Sequence, residues 1–511
     1  MIGLALSSLT GLVSQILISR AFGTSAAIDA FYAANRIPEI LFNLMAGGAL
    51  ASAFVPTFTS FLTRNDRDGA WHLASSITWL VVLVLGAVSL LAWLLGPWLV
   101  TSILAPGFED AAQIQLTVRL LRIMLLSPLI FGISGLLMGA LNAHQRFAAP
   151  ALAPAAYRFG MILSLIVLVP RFGVFGLAWG SVAGSLLHLL VQIPSLRAIK
   201  PQFFSELGLH NPAVREVGRL MAPRLIGVAV VQLNFLINTI IASGLPEGSL
   251  SSITYAFQIM LMPEVVIAQA IAIAALPTFS AQVARGELDN LRGSLMITLR
   301  GLVYLALPAS LGLILLREPI VSLIYQGGEF SNDSTAMVSW ALLWYAAGLL
   351  GHSILEIITR AFYAMNDTKI PVLVGAAAMT LNAVLSILFA ILFARWGWMP
   401  HGGLPLANSL ATALECGALM IIMRRRLHGL AAGAVRQGLI ATAVSALMMS
   451  LAVTGWLQIM SGRAAWMLAG GGIGIGIIVF WGSSLMLKAP EARELPQMLL
   501  RRLTRRAIHT S

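Results

Sequence analysis

The chain has 511 residues, 58% of them hydrophobic and 10% charged, with a mean hydropathy of +0.88 and a formal net charge of +12. Water-soluble chains carry about 25% charged residues, so a set of soluble domains is excluded and lipid is the expected solvent. The single cysteine, Cys416, excludes an intrachain disulfide and a cysteine-based metal site.

Apolar runs of the length needed to cross about 30 Å of hydrocarbon as a helix follow one another from end to end. In chain order they fall near 2–22, 28–62, 77–104, 112–142, 151–169, 173–196 and 212–243, then 248–283, 290–325, 333–364, 369–395, 402–427, 435–458 and 463–487. That makes about fourteen spans. The ten-residue alternation of barrel strands is missing, and in lipid only helices or closed barrels satisfy the backbone. The expected fold is therefore an all-α polytopic membrane protein. The first span has neither a basic lead nor a small-residue cleavage site, so it does not read as a removable signal peptide.

The loops alternate in charge. Arg64 and Arg67, Arg146, Arg197 to Arg219, Arg285 and Arg292, Lys369, Arg424 to Arg436 and the tail from Lys488 to Arg506 lie on one set. The intervening loops carry Glu109 and Asp110, Glu247, or Glu329 and Asp333, with few cations. This positive-inside pattern predicts cytoplasmic termini at both ends and an even number of spans. The basic excess thus reads as topology and contact with anionic membrane lipids, not as a nucleic-acid footprint.

The sequence is also duplicated. Phe54-Val55-Pro56-Thr57-Phe58 recurs as Ala275-Leu276-Pro277-Thr278-Phe279, with the prolines 221 residues apart. Ala143 to Pro150 and Ala364 to Pro371 share that offset, while Ile37-Pro38-Glu39 matches Met262-Pro263-Glu264 at 225 and Gly176-Leu177 matches Gly403-Leu404 at 227. The repeat predicts an N-lobe over 1–200 (spans 1–6) and a C-lobe over 201–430 (spans 7–12). Helices 13 and 14 follow over 431–487, and a basic cytoplasmic tail over 488–511. Six spans per half give two lobes in the same orientation, related by a pseudo-two-fold axis along the membrane normal, with a cavity expected between them.

Charges inside spans cost about 2.5–3.5 kcal/mol each on insertion scales and usually face a cavity or a partner. The second span carries Asp29, Tyr32, Arg36, Glu39 and Asn43 at steps of three and four, one helical face. The seventh span brings Arg224 and Asn238, and the eighth brings Gln258 and Glu264. If spans one, two, seven and eight meet, these residues line one cavity, and two arginines there suit a phosphate. Salt bridging between helices is the plainer alternative. Glu356 and Arg360, four apart, read as an internal pair; Glu415 is a candidate ion site. The run from Gly470 to Gly476 reads as a close-packing helix surface, not a phosphate loop. No metal spacing or catalytic motif is apparent, so a transporter is expected in place of an enzyme.

Asp29-Ala30-Phe31, Arg36-Ile37-Pro38, Gly48-Ala49-Leu50, Ala53-Phe54-Val55-Pro56 and Ala105-Pro106-Gly107-Phe108 resemble segments of the MurJ (MviN) lipid II flippase family. Gly139-Ala140-Leu141-Asn142, Tyr255-Ala256, Leu276-Pro277 and Phe362-Tyr363 with Asp367, Lys369 and Pro371 extend the resemblance colinearly over roughly 430 residues. It implies the MOP exporter fold shared with MATE transporters: two six-helix lobes around a cationic cavity, plus a groove made with the last two helices. It further implies an undecaprenyl-pyrophosphate-linked glycan as substrate, flipped outward across the bacterial inner membrane for peptidoglycan synthesis. No cofactor is expected; the membrane potential or a coupling cation is the expected drive, and a monomer the expected state. Where the family has an Arg-Asp pair in its first helix this chain has Ser14-Gln15, and two further family arginines fall at Phe42 and Gln258. Either the cavity charge is rebuilt from other helices, or the substrate is another polyprenyl-linked glycan such as an O-antigen or exopolysaccharide unit. A MATE-type multidrug antiporter is the third alternative. The first span begins almost at Met1, without the family's short lead, which leaves an upstream start open.

Overall fold

The computed structural model describes residues 2–46, 49–429 and 432–494; they are predominantly α-helical, with no strand among them. In chain order the helices are α1 (Ile2–Phe22), α2 (Ala26–Ala46), α3 (Ala49–Thr63), α4 (Arg67–Leu94) and α5 (Gly96–Leu99), closed by a π-helical turn at Val100–Leu104. Then come α6 (Ala111–Met124), α7 (Leu126–Ala143), α8 (Ala148–Val167), α9 (Val169–Phe172), α10 (Val174–Leu190), α11 (Ile193–Arg197) and α12 (Pro212–Ser243). Next are α13 (Ser249–Pro263), a π-helical stretch at Glu264–Gln269, α14 (Ala270–Ala284), α15 (Leu288–Leu315), α16 (Arg317–Tyr325) and α17 (Asn332–Ala364). The last four are α18 (Lys369–Arg395), α19 (Gly403–Arg426), α20 (Ala432–Ile459) and α21 (Ala465–Met486).

Local chemistry sets many of these ends. Asp66 accepts the Gly69 N–H, Asp110 those of Ala112 and Gln113, and Asn211 that of Ala213, each satisfying an orphan donor at a helix start. Pro212 follows Asn211 at the first helical position, where its missing N–H costs nothing.

Twelve helices among the described residues are long and apolar enough to cross a membrane, against the fourteen expected. The difference lies at the start of the chain. The described apolar part of the first span is Leu9–Phe22, and the expected span 28–62 is two helices, α2 and α3. Asp29, Arg36 and Glu39 make α2 too charged to count as an ordinary span. The expected span 248–283 is likewise interrupted: Pro263 cannot donate an N–H, and the helix relaxes into a π turn directly after it.

The chain forms two compact units, Met1–Ser251 with Gly327–Ser331, and Ser252–Gln326 with Asn332–Ser511. This boundary differs from the repeat-based one near 200, because α12 packs against α2 and α3. In the first unit α8 lies between α1 and α10, and α7 packs on α3 and α4. Its core gathers Phe54, Phe58, Trp71, Leu73 and Leu141. In the second unit α17 packs on α15 and α19, with a core of Phe279, Leu291, Ile357, Phe362 and Met423. Phe58 and Phe279, equivalent in the repeat, are both fully buried, so the duplicated motif serves the same packing role twice. Helices α20 and α21 pack on each other, and α20 also packs on α15. Outward faces are apolar: Leu83, Leu90, Leu91 and Leu94 of α4 are each more than half exposed, as contact with lipid requires.

Candidate functional site

In the first unit the polar face of α2 meets α12. Arg36, itself 13% exposed, donates from Nη1 to Glu39 Oε2 at 2.9 Å. Its Nε donates to Thr239 Oγ1 at 2.9 Å, and its guanidinium lies 5.8 Å from the centroid of the Phe235 ring. Two of the five guanidinium N–H groups are thus engaged. Glu39 remains 41% exposed and makes no second ion pair among the described residues. One turn further along the same face, Asn43 is half-buried. On α12, Asn238 donates to Asn234 at 3.5 Å while its Oδ1 has no partner. Thr239, Asn234 and Phe235 went unread in the sequence. Their signal is the spacing of polar positions 234, 238 and 239 along an otherwise apolar span. The side chain of Arg224 lies outside the described residues.

Asp29, near the outer end of its helix and open in the sequence to a cavity-lining or an interfacial role, is buried as a helix cap. It is 3% exposed, and its two oxygens accept the backbone N–H groups of Gly248 and Ser251, each at 2.8 Å. It therefore caps the first turn of α13. In return Glu247 Oε1 accepts the N–H of Ala26 at 2.6 Å, capping the start of α2. Each carboxylate also sits at the positive end of the helix it caps. Gly248 has φ +82°, and a Cβ there would come within 2.5 Å of the Thr24 carbonyl oxygen, so only glycine allows this approach. The same end of the unit is closed by the Gly107 N–H on Ser243 Oγ at 3.1 Å and the Glu329 N–H on the Arg20 carbonyl at 2.9 Å.

The second unit holds the other expected residues. Glu264 is buried at the head of the π turn, directly after Pro263. Glu356 pairs with Arg360 at 3.2 Å on α17, the helix that packs against the π stretch headed by Glu264. Gln258 is exposed on α13. Glu415 is half-buried in α19 and lies over Gly375 of α18, with no ion pair or hydrogen bond among the described residues. No group of three or more His, Cys, Asp or Glu able to hold a metal occurs among the described residues. Between α20 and the end of α21 lies a groove of about 500 Å³ lined by Arg436, Gln437, Ile440, Ala441, Val444 and Leu487. It has a polar, cationic mouth and apolar walls.

Chemically, the α2–α12 site offers a fixed guanidinium with open N–H groups beside an exchangeable carboxylate, an arrangement that binds anions with more than one oxygen. The family described as lipid II flippase MurJ matches residues 18–469. A lipid II flippase MurJ from Burkholderia cenocepacia is 30% identical over 427 residues, 82% of each chain. A probable lipid II flippase MurJ from Vibrio cholerae is 31% identical over 435 residues, covering 83% of this chain and 80% of that one. In fold, the chain is similar to a lipid II flippase MurJ solved in an inward closed conformation, with a TM-score of 0.82 and 23% identity over 97% of this chain and 98% of that one. It is also similar to an inward-facing MATE family multidrug resistance transporter of the MOP superfamily, with a TM-score of 0.68 and 16% identity over 84% and 96%.

Proposed function

Since the chain belongs to the MurJ family of lipid II flippases, we propose that it carries a lipid-linked peptidoglycan precursor from the inner to the outer leaflet of the bacterial cytoplasmic membrane by alternating access. The observation that carries this reading is the state of Arg36: a mid-helix guanidinium, two of its donors engaged, beside a carboxylate that solvent reaches. A pyrophosphate competes with Glu39 for the open fork and is released when Glu39 returns. The polyprenyl chain stays in lipid, and the groove beside α20 and α21 has the apolar walls to receive it.

With both termini cytoplasmic, the α1–α2 turn and the Glu247 loop lie on the outer side. The exchanged caps of Asp29 and Glu247 then act as an outer latch that opens once per cycle. The chain carries no nucleotide-binding motif, so the drive is secondary. Outward movement of a negative charge is driven by an interior-negative potential and gains about 2.3 kcal/mol per charge per 100 mV, and two phosphate charges double that. Glu415, a lone carboxylate within α19, is the proposed site for a coupling cation.

The test is complementation of a bacterium depleted of its own lipid II flippase, with accumulation of the precursor followed. Rescue by the wild type and none by Arg36→Ala at equal expression supports the reading. A correctly inserted wild type that leaves the precursor trapped inside overturns it, in favour of another polyprenyl-linked glycan.

A further inference from the structure

Arg158 lies halfway along the 20-residue α8, about 15 Å from its first residue at 1.5 Å per residue. Arg36 and Arg300, also midway along their helices, each hold a glutamate, Glu39 and Glu491 respectively. Arg158 holds no carboxylate and makes no hydrogen bond among the described residues; its contact is the face of the adjacent Tyr157 ring, at 5.7 Å. At that depth the side chain is too far from either interface to snorkel. An ionised group kept in the bilayer at this cost, without a protein partner, points to an anionic ligand.

The direction of the side chain says where. Arg158 Nε lies 3.7 Å from the position a Cβ on Gly11 would occupy, so the arginine crosses α1 where that helix has no side chain. One turn along the same face of α1, Gln15 donates to Tyr32 Oη on α2 at 3.0 Å. This rung bridges α1 and α2, which run in opposite directions on either side of a short turn. Moving four residues from it in one direction through the membrane reaches Gly11 on α1 and Arg36 on α2, about 6 Å from the rung. Arg158 therefore arrives at the level of Arg36, within the same unit.

We propose that Arg158 is a second phosphate-binding residue. Arg36 and Arg158 each take one phosphate of a polyprenyl diphosphate, so the first unit selects a diphosphate over a monophosphate. Gly11 is the opening that lets Arg158 through. The inference rests on the function proposed above and adds the residue that decides how many phosphates are read.

The full-length protein in nanodiscs is titrated with undecaprenyl pyrophosphate and, separately, undecaprenyl phosphate. Arg158→Gln is expected to weaken diphosphate binding by about tenfold or more, the worth of a charged hydrogen-bonded contact, and monophosphate binding by less than about twofold, since Arg36 alone supplies that contact. Arg36→Gln weakens both. Gly11→Val, which blocks the path with Arg158 intact, reproduces the diphosphate-selective loss and decides the matter should Arg158→Gln fail to fold. Equal losses for the two lipids, or none, in Arg158→Gln overturn the inference. Complementation separates the two levels of the argument: rescue by both wild type and Arg158→Gln, with unchanged diphosphate affinity, removes Arg158 alone. No rescue and no lipid binding by the wild type removes the flippase reading and this inference with it.

Discussion

Asp29 and Glu247 cap each other's helices: Glu247 accepts the N–H that starts α2 at Ala26, and Asp29, three residues on, accepts the N–H groups of Gly248 and Ser251 at the start of α13. The exchange joins positions 219 to 222 residues apart, at the starts of the second and eighth spans, which the internal repeat pairs. Two equivalent helix starts are thus tied by one reciprocal contact. Each start supplies both the acid and the donors.

Breaking this exchange should bias the protein toward its open outer state. Loss of a helix cap costs about 0.5–2 kcal/mol, and 1 kcal/mol is a factor of about five in a two-state population. In a Cys416→Ala background, Ser25→Cys should therefore label about fivefold faster with an impermeant maleimide when Asp29 is Ala. Unchanged labelling would mean that the caps do not hold the turn shut.

Thr239 holds the Arg36 Nε, so it should matter less than Arg36 and in a different way. Thr239→Val removes one hydrogen bond to a charged group, about 1.5–3 kcal/mol at most, and should weaken the affinity for undecaprenyl pyrophosphate without abolishing rescue. Arg36→Lys keeps the charge and loses the fork; it should fail where Thr239→Val survives. The ordering is read from growth of the depleted strain and from lipid titration.

Helices α8 and α10 touch through glycines. A Cβ on Gly160 would lie 2.6 Å from the Gly184 Cα, and one on Gly184 would lie 2.7 Å from the Tyr157 carbonyl oxygen. This is small-residue packing of the kind that draws membrane helices together. Gly160→Val should destabilise the protein by about 1–3 kcal/mol through overpacking, seen as a lower Tm in detergent. Gly218→Val, with nothing within 4 Å of its added Cβ, is the control expected to leave Tm unchanged.

Asp367, in the loop between α17 and α18, accepts the N–H groups of Ile370 and Lys369 and pairs with Arg426 at 2.5 Å. The Ile370 N–H first, then the Arg426 guanidinium, hold its carboxyl below the ordinary 3.8. A depressed carboxyl stabilises the fold above its unfolded pKa and loses that contribution as pH falls through the folded one. The Tm difference between wild type and Asp367→Asn should stay constant from neutral pH down to about 5 and vanish only below 3.8. A difference that fades between pH 7 and 5 would refute the assignment.

What the sequence determined alone is what composition and short-range periodicity encode. Charge content demands lipid, apolar run lengths bound the helices, and the span at 212–243 coincides with α12 to the residue. The stripe Arg36–Glu39 was legible because residues three apart on a helix are neighbours wherever the helix lies. The partners of that stripe were not. Thr239 stands 203 residues from Arg36, and no local spacing announces such a contact. Asp29 looked like one more member of the stripe, yet burial at the helix start and two distant N–H groups make it a cap. Arg158 drew no notice because its surroundings in sequence are those of an ordinary apolar span; it acquires meaning only when α8 is laid across Gly11. Helix formation is decided by neighbours along the chain, whereas the task of a buried charge is decided by whichever partner the packing brings to it.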